Sequence, residues 1–280
     1  MPDFLLRRII PNTKILEITL NRPAVLNSLN LEMCNEIIDI LKRLNNSETN
    51  KNYINAFIVK GSGGKAFCAG GDVKSVWIDV KGLPADVVGS GCPGFLHSDF
   101  FRKEYTMNYL LQSSLRPQIS LWDGIVMGGG VGVSVFGEFR VATEKTLFAM
   151  PETAIGLFPD VASAAWLPHL PSGYGLYIGL TGCRLKSADL MHTKIATHYV
   201  SSDRLNELEA TLAETVIPND PIDARKRIKG VLDHVQNGLK PDTANSLIIP
   251  QAELIRLVFM FSLLFFNIMC LDLSFQTNYD

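Results

Sequence analysis

The stretch FAMPETAIGLFPD (148–160) sets two carboxylates, Glu152 and Asp160, each directly after a proline in otherwise apolar sequence. An ionised carboxylate in apolar surroundings is costly unless partnered. The two are therefore either loop acids facing water or acids aimed into a site. Upstream lie two glycine clusters, AFCAGGD (66–72) and VMGGGVG (126–132), each where strand-like sequence gives way to helical sequence. Glycine lets backbone N–H groups approach a ligand without a Cβ in the way, and a helix start favours negative charge. If the two loops meet, they present two convergent donors, the geometry of an oxyanion hole. Either loop alone is better explained by tight packing. Glu152 and Asp160 also have plain readings, as a first-turn acid after a proline and as a helix cap.

Other chemistries fail on spacing. A P-loop needs Ser or Thr after its lysine, and Lys65 is followed by Ala66. A dinucleotide fingerprint beginning at Gly128 needs glycine at 133, which is Val133. In GVSVFG the last glycine, Gly137, arrives one residue late for a nucleophile elbow. Cys34, Cys68, Cys92, Cys183 and Cys270 are dispersed with no CxxC pair, which suits a reducing compartment and gives no zinc or disulfide framework. His192 and His198 make an isolated H-x5-H with no cysteine pair to complete a site, which reads as chance, so no metal is expected. The formal net charge of −2 gives no basic field for nucleic acid, and DARKRIKG (223–230) reads as a solvated helix face.

The chain's 280 residues, 47% hydrophobic and 19% charged, suffice for a sizeable core. TKILEITL (13–20) alternates with Leu16, Ile18 and Leu20 on one side, predicting a half-buried strand. Asn30 is placed to cap a helix whose apolar stripe is Cys34, Ile37, Ile38, Leu41 and Leu44. NAFIVKG (55–61), QISLWDG (118–124), RVATE and TLFAM read as strands. Helices are predicted around 100–114, over 172–182 and through most of 185–235. Short strands alternating with helices make an α/β chain.

ITLNRPAVLNSLN (18–30), KAFCAGGD (65–72), GIVMGGGVGVS (124–134) and FAMPETAIGLFPDV (148–161) occur in the order and at the spacing of the crotonase (enoyl-CoA hydratase/isomerase) superfamily, and the sequence resembles its 3-hydroxyisobutyryl-CoA hydrolase branch. The resemblance covers roughly residues 5–235. It implies a fold of repeated ββα units with C-terminal helices, binding acyl-CoA thioesters. By motif position, it implies that Gly71 and Gly129 supply the oxyanion-hole amides, that Glu152 is the catalytic carboxylate, and that Asp160 is the additional acid of the hydrolase branch. Glu104, in FRKEY, resembles that branch's substrate-contacting glutamate; by itself it reads equally as a solvated helix residue. Hydratases of the superfamily carry a first glutamate three residues after the oxyanion glycine, and Gly132 stands there. A hydratase needs the pair for general acid–base work, so hydrolysis of the thioester is the expected reaction. Coenzyme A is then part of the substrate, and neither a separate cofactor nor a metal is implied.

Departures from the pattern remain. Ala162 and Ser163 follow Asp160 where the branch carries glycines, and their side chains are expected to reshape the site. The match fades near 240, which divides the chain into a hydrolase domain (1–240) and an atypical apolar tail (241–280), as though the branch's C-terminal helices were truncated or replaced. LVFMFSLLFFNIMCL (257–271) is marginal as a membrane span, for which about 20 residues are needed; a membrane is disfavoured but left open by this run. The N-terminus shows no signal peptide or clear transit peptide, although the resemblance implies mitochondria, valine catabolism and an acyl-CoA partner, and leaves homo-oligomerisation open. An inactive interaction form and a hydratase or isomerase are the competing functions.

Overall fold

The computed structural model describes residues 3–46, 54–89 and 94–259. Among the described residues nine strands form two sheets. β1 (Leu5–Ile10), β2 (Ile15–Leu20), β3 (Ala56–Gly61), β5 (Gln118–Trp122), β7 (Phe139–Ala142) and β9 (His198–Tyr199) make a six-stranded sheet in that order, and β4 (Ala66–Cys68), β6 (Ile125–Met127) and β8 (Leu147–Ala149) make a three-stranded one. Among these described strands only the β1–β2 pair is antiparallel. Each of the pairs β3/β4, β5/β6 and β7/β8 gives one strand to each sheet. This is the repeated ββα progression expected from the resemblance. The helices are α1 (Leu31–Asn45), α2 (Val73–Val80), α3 (Ala85–Gly89), α4 (Leu96–Gln112), α5 (Gly129–Gly132), α6 (Tyr174–Thr181), α7 (Ser187–His192), α8 (Leu205–Glu214) and α9 (Pro221–Gln236).

The six-stranded sheet is covered on both faces, as mainly parallel sheets usually are. One face carries Leu16, Ile18, Phe57, Val59 and Trp122 into a core shared with α1 and α4. The other carries Ile15, Ile58, Ile119 and Val141 against Leu208 and Leu212 of α8 and Ile228 and Leu232 of α9. β2 is therefore buried at every position rather than half-buried. Its alternation reflects Glu17 and Thr19 on the second face, where Glu17 meets Arg8 at 2.9 Å and Lys60 at 3.3 Å. Local signals elsewhere act as read. Asn30 Oδ1 accepts from Met33 N–H at 2.9 Å to start α1, and the predicted stripe of that helix is buried. The basic run of 223–230 lies on α9, with Ala224 and Ile228 inward. β9 is a two-residue strand too short to announce itself within a helical region.

Beyond 240 the chain returns to the body. Asp189, fully buried on α7, accepts from Leu247 N–H at 3.0 Å, Ile248 N–H at 2.8 Å and the Ser246 hydroxyl. Ile248 and Ile255 join the larger core. Among the described residues no helix is long and apolar enough to cross a membrane; most of the run 257–271, and Cys92 and Cys270, lie outside them.

Candidate active site

The loop 69–72 is pinned on both sides of Gly71. Leu29 N–H donates to Gly70 O and Asp72 N–H to Leu29 O, both at 2.8 Å, while Asp72 pairs with Arg22 at 2.9 Å. The Gly71 amide itself donates no backbone hydrogen bond among the described residues. The second glycine cluster turns sharply from β6 into α5 at Gly128, whose φ of 47° and ψ of −116° suit glycine. As the first residue of α5, Gly129 also keeps its amide free among the described residues. The two loops meet: the position a Gly129 Cβ would take is 3.0 Å from Gly71 N and collides with Glu104 Oε1. Any side chain at 129 would displace that acid.

Three acids surround this pair of amides. Glu104 lies on the buried stripe of α4 with Phe100, Met107 and Leu111, 2% exposed, so its reading as a solvated helix residue is overturned. Burial, with Asp160 and Glu152 nearby, pushes its titration up to about 8, and Oε1 has no hydrogen-bond partner among the described residues. Glu152 opens a short 3₁₀ turn (Glu152–Ile155), 5% exposed, and Oε1 lies 2.8 Å from where a Gly128 Cβ would stand. Its Oε2 is buried without a partner among the described residues, and burial, reinforced by Asp160, pushes its titration up to about 7. Asp160 is 7% exposed and accepts a 2.8 Å hydrogen bond from Tyr105 Oη. The 3₁₀ turn that follows has no side-chain cap, so Asp160 does not serve as one. Burial lifts the Asp160 titration and the Tyr105 bond opposes that rise.

Gly71, Gly129, Glu104, Glu152 and Asp160 all line one cavity of about 90 Å³. That space takes the reacting end of a ligand and a water or two. Of the residues after Asp160, Val161 reaches this cavity, whereas Ser163 lines a separate apolar one beside α6. The reshaping expected of Ala162 and Ser163 thus falls to the backbone: Val161 and Ala162 both adopt positive φ, 43° and 57°. Cys68 packs under Gly130, and burial pushes its thiol up to about 12, far from a reactive thiolate. Among the described residues no group of three or more His, Cys, Asp and Glu is disposed to hold a metal.

A family model described as Enoyl-CoA hydratase/isomerase matches residues 15–267. The chain belongs to the enoyl-CoA hydratase/isomerase family. Within that family it is 48% identical over 219 residues to a protein of Xenopus laevis named 3-hydroxyisobutyryl-CoA hydrolase, mitochondrial, covering 78% of this chain and 52% of that protein. The human protein of the same name is 42% identical over 234 residues, covering 84% and 56%. The chain spans about half the length of the curated relatives it matches. Among solved structures, a carnitinyl-CoA dehydratase from Mycobacterium thermoresistibile superposes with a TM-score of 0.73 at 29% identity, covering 91% of this chain and 66% of that one.

Within the enoyl-CoA hydratase/isomerase fold, the position of Gly132 is closed to a larger residue. A Cβ there would lie 2.7 Å from Val161 Cβ and 2.8 Å from Asn108 Nδ2. The Asn108 amide is buried with neither of its polar atoms partnered among the described residues. Two residues at the site escaped sequence reasoning. Tyr105 is the neighbour of Glu104 in FRKEY, and Asn108 lies one helical turn past Glu104 on the same buried stripe. An i, i+4 extension from Glu104 would have found Asn108; nothing local pointed Tyr105 at Asp160.

Proposed function

We propose that the chain is an acyl-CoA thioester hydrolase, acting on 3-hydroxyisobutyryl-CoA or a similar short 3-hydroxyacyl-CoA to release the free acid and CoA. The observation that carries this reading is a buried carboxylate, Glu152, placed beside the two free glycine amides while position 132 holds no second acid. The thioester oxygen sits between the Gly71 and Gly129 amides, which stabilise the tetrahedral oxyanion, each worth on the order of a hundred- to a thousand-fold in rate. Glu152, once ionised, attacks the carbonyl carbon to give a mixed anhydride and expel CoA thiolate, or takes a proton from the attacking water. In either route one water is consumed and the CoA sulfur leaves with a proton. Asp160 orients that water or assists protonation of the thiolate. Glu104, protonated up to about pH 8, meets the 3-hydroxyl as a neutral acid that both donates and accepts. Water is the only co-reactant this chemistry requires.

The names of the relatives support a mitochondrial setting and a place in valine breakdown. A hydratase reading is less well supported, because Gly132 has no room for the second glutamate that hydration requires. We carry the division at residue 240 as a proposal as well, with the preceding residues as the catalytic unit. Glu152→Gln removes the charge and keeps the shape. Release of free CoA from 3-hydroxyisobutyryl-CoA, followed with a thiol reagent, should fall by about a hundredfold or more, with circular dichroism unchanged. Near-normal turnover in that variant would refute the mechanism.

A further inference from the structure

We propose that Tyr105 is a positioning residue of this site: its hydroxyl holds the Asp160 carboxylate by Oδ2 and leaves Oδ1 as the oxygen that meets water or ligand in the cavity. The bond is 2.8 Å and joins residues 55 positions apart, one on α4 and one in the loop after Pro159. Asp160 needs such a hold. The loop immediately after it runs through two successive left-handed residues, Val161 and Ala162, a conformation its surroundings must impose. Tyr105 is itself braced, with the Phe101 ring one turn earlier at a centroid distance of 6.0 Å. α4 therefore sets two of the three acids, Glu104 through its own backbone and Asp160 through the hydroxyl of the next residue.

The bond also has a sign. A phenol donates, and an ionised carboxylate is an acceptor only, so the bond favours charged Asp160. The other titratable groups that face Asp160 are Glu104 from α4 and Glu152 from the turn before it, both acids. Without the Tyr105 hydroxyl, Asp160 is a buried carboxylate that has lost a donor to its charged form, and it takes up its proton at higher pH. The catalytic consequence rests on the hydrolase reading above; the coupling of Tyr105 to Asp160 does not.

The test is Tyr105→Phe in the full chain, with two readouts. Protein labelled at the aspartate carboxyl carbons is titrated by NMR, with Asp160→Asn identifying the Asp160 signal. The pH profile of CoA release from 3-hydroxyisobutyryl-CoA is measured alongside. The Asp160 midpoint should rise by about one pH unit, kcat at neutral pH should fall about tenfold, and the acid limb should move up while KM changes little. Tyr109→Phe, one turn further along α4 and 67% exposed, should move neither readout. An Asp160 midpoint that stays in place in Tyr105→Phe overturns the proposal, whatever the activity. If the midpoint moves but the unaltered chain releases no CoA, the hydrolase reading fails and the positioning role stands.

Discussion

Glu104 and Glu152 are acids that the folded chain keeps protonated beyond their ordinary range. Both titrations start from 4.5 in an unconstrained chain and are pushed up to about 8 and about 7, first by burial and then by the neighbouring Asp160. Between those values the folded state binds protons that the unfolded state has released. Stability from these groups is therefore fully present below about pH 4.5, and is lost as pH rises through about 8. Glu104 is the more deeply buried of the two and has the larger effect. The melting temperature of the wild-type chain should decline between pH 5 and pH 9, and Glu104→Gln should flatten most of that decline. Scanning calorimetry across the range checks it; an equal slope in both proteins would mean that Glu104 does not hold the proton. The same protonation lets three acids share so small a space, because three full charges within one cavity would repel.

The elements that hold these acids explain why position 132 matters. α5 is a single turn wedged against β4, with Gly130 over the Cys68 carbonyl and Gly132 against Val161 and Asn108. A methyl group at 132 must push on Val161, whose backbone already stands at a φ of 43° in a region β-branched residues avoid. Gly132→Ala should therefore destabilise the chain by about 1–3 kcal/mol, read as a lowered denaturation midpoint in urea. It should add no hydration of enoyl-CoA. A neutral stability change would show that the loop after Asp160 yields freely. Much of this was legible beforehand. The glycine clusters, the strand and helix alternation and the acids at 152 and 160 are local patterns, while the ββα units and the pairing of Gly71 with Gly129 were implied by the family resemblance those motifs carry. The Tyr105–Asp160 bond and the close packing on Gly132 were not legible, since both depend on how α4 crosses the later loop, which no short window of sequence encodes.

At the scale of the whole molecule, local pattern also stopped short on the outer sheet face and after residue 240. The half-buried reading of β2 failed because α8 and α9, some two hundred residues later, cover its second side. The stretch beyond 240 looked foreign by composition, yet its first part is bound by one buried carboxylate. Asp189 is reached by two amides and a hydroxyl from 246–248 as well as by Lys186 N–H at 3.4 Å, so it closes α7 and the returning segment with the same two oxygens. Ile248 and Ile255 then seat in the main core. Removing the carboxylate leaves those buried donors without acceptors, which costs on the order of 3 kcal/mol, and frees the apolar segment that follows. Asp189→Ala should lower the melting temperature and open the chain to limited proteolysis between 240 and 250. Glu253→Ala, an exposed change in the same segment, should do neither. Cleavage at equal rates in wild type and Asp189→Ala would show that the apolar contacts alone hold this segment to the body.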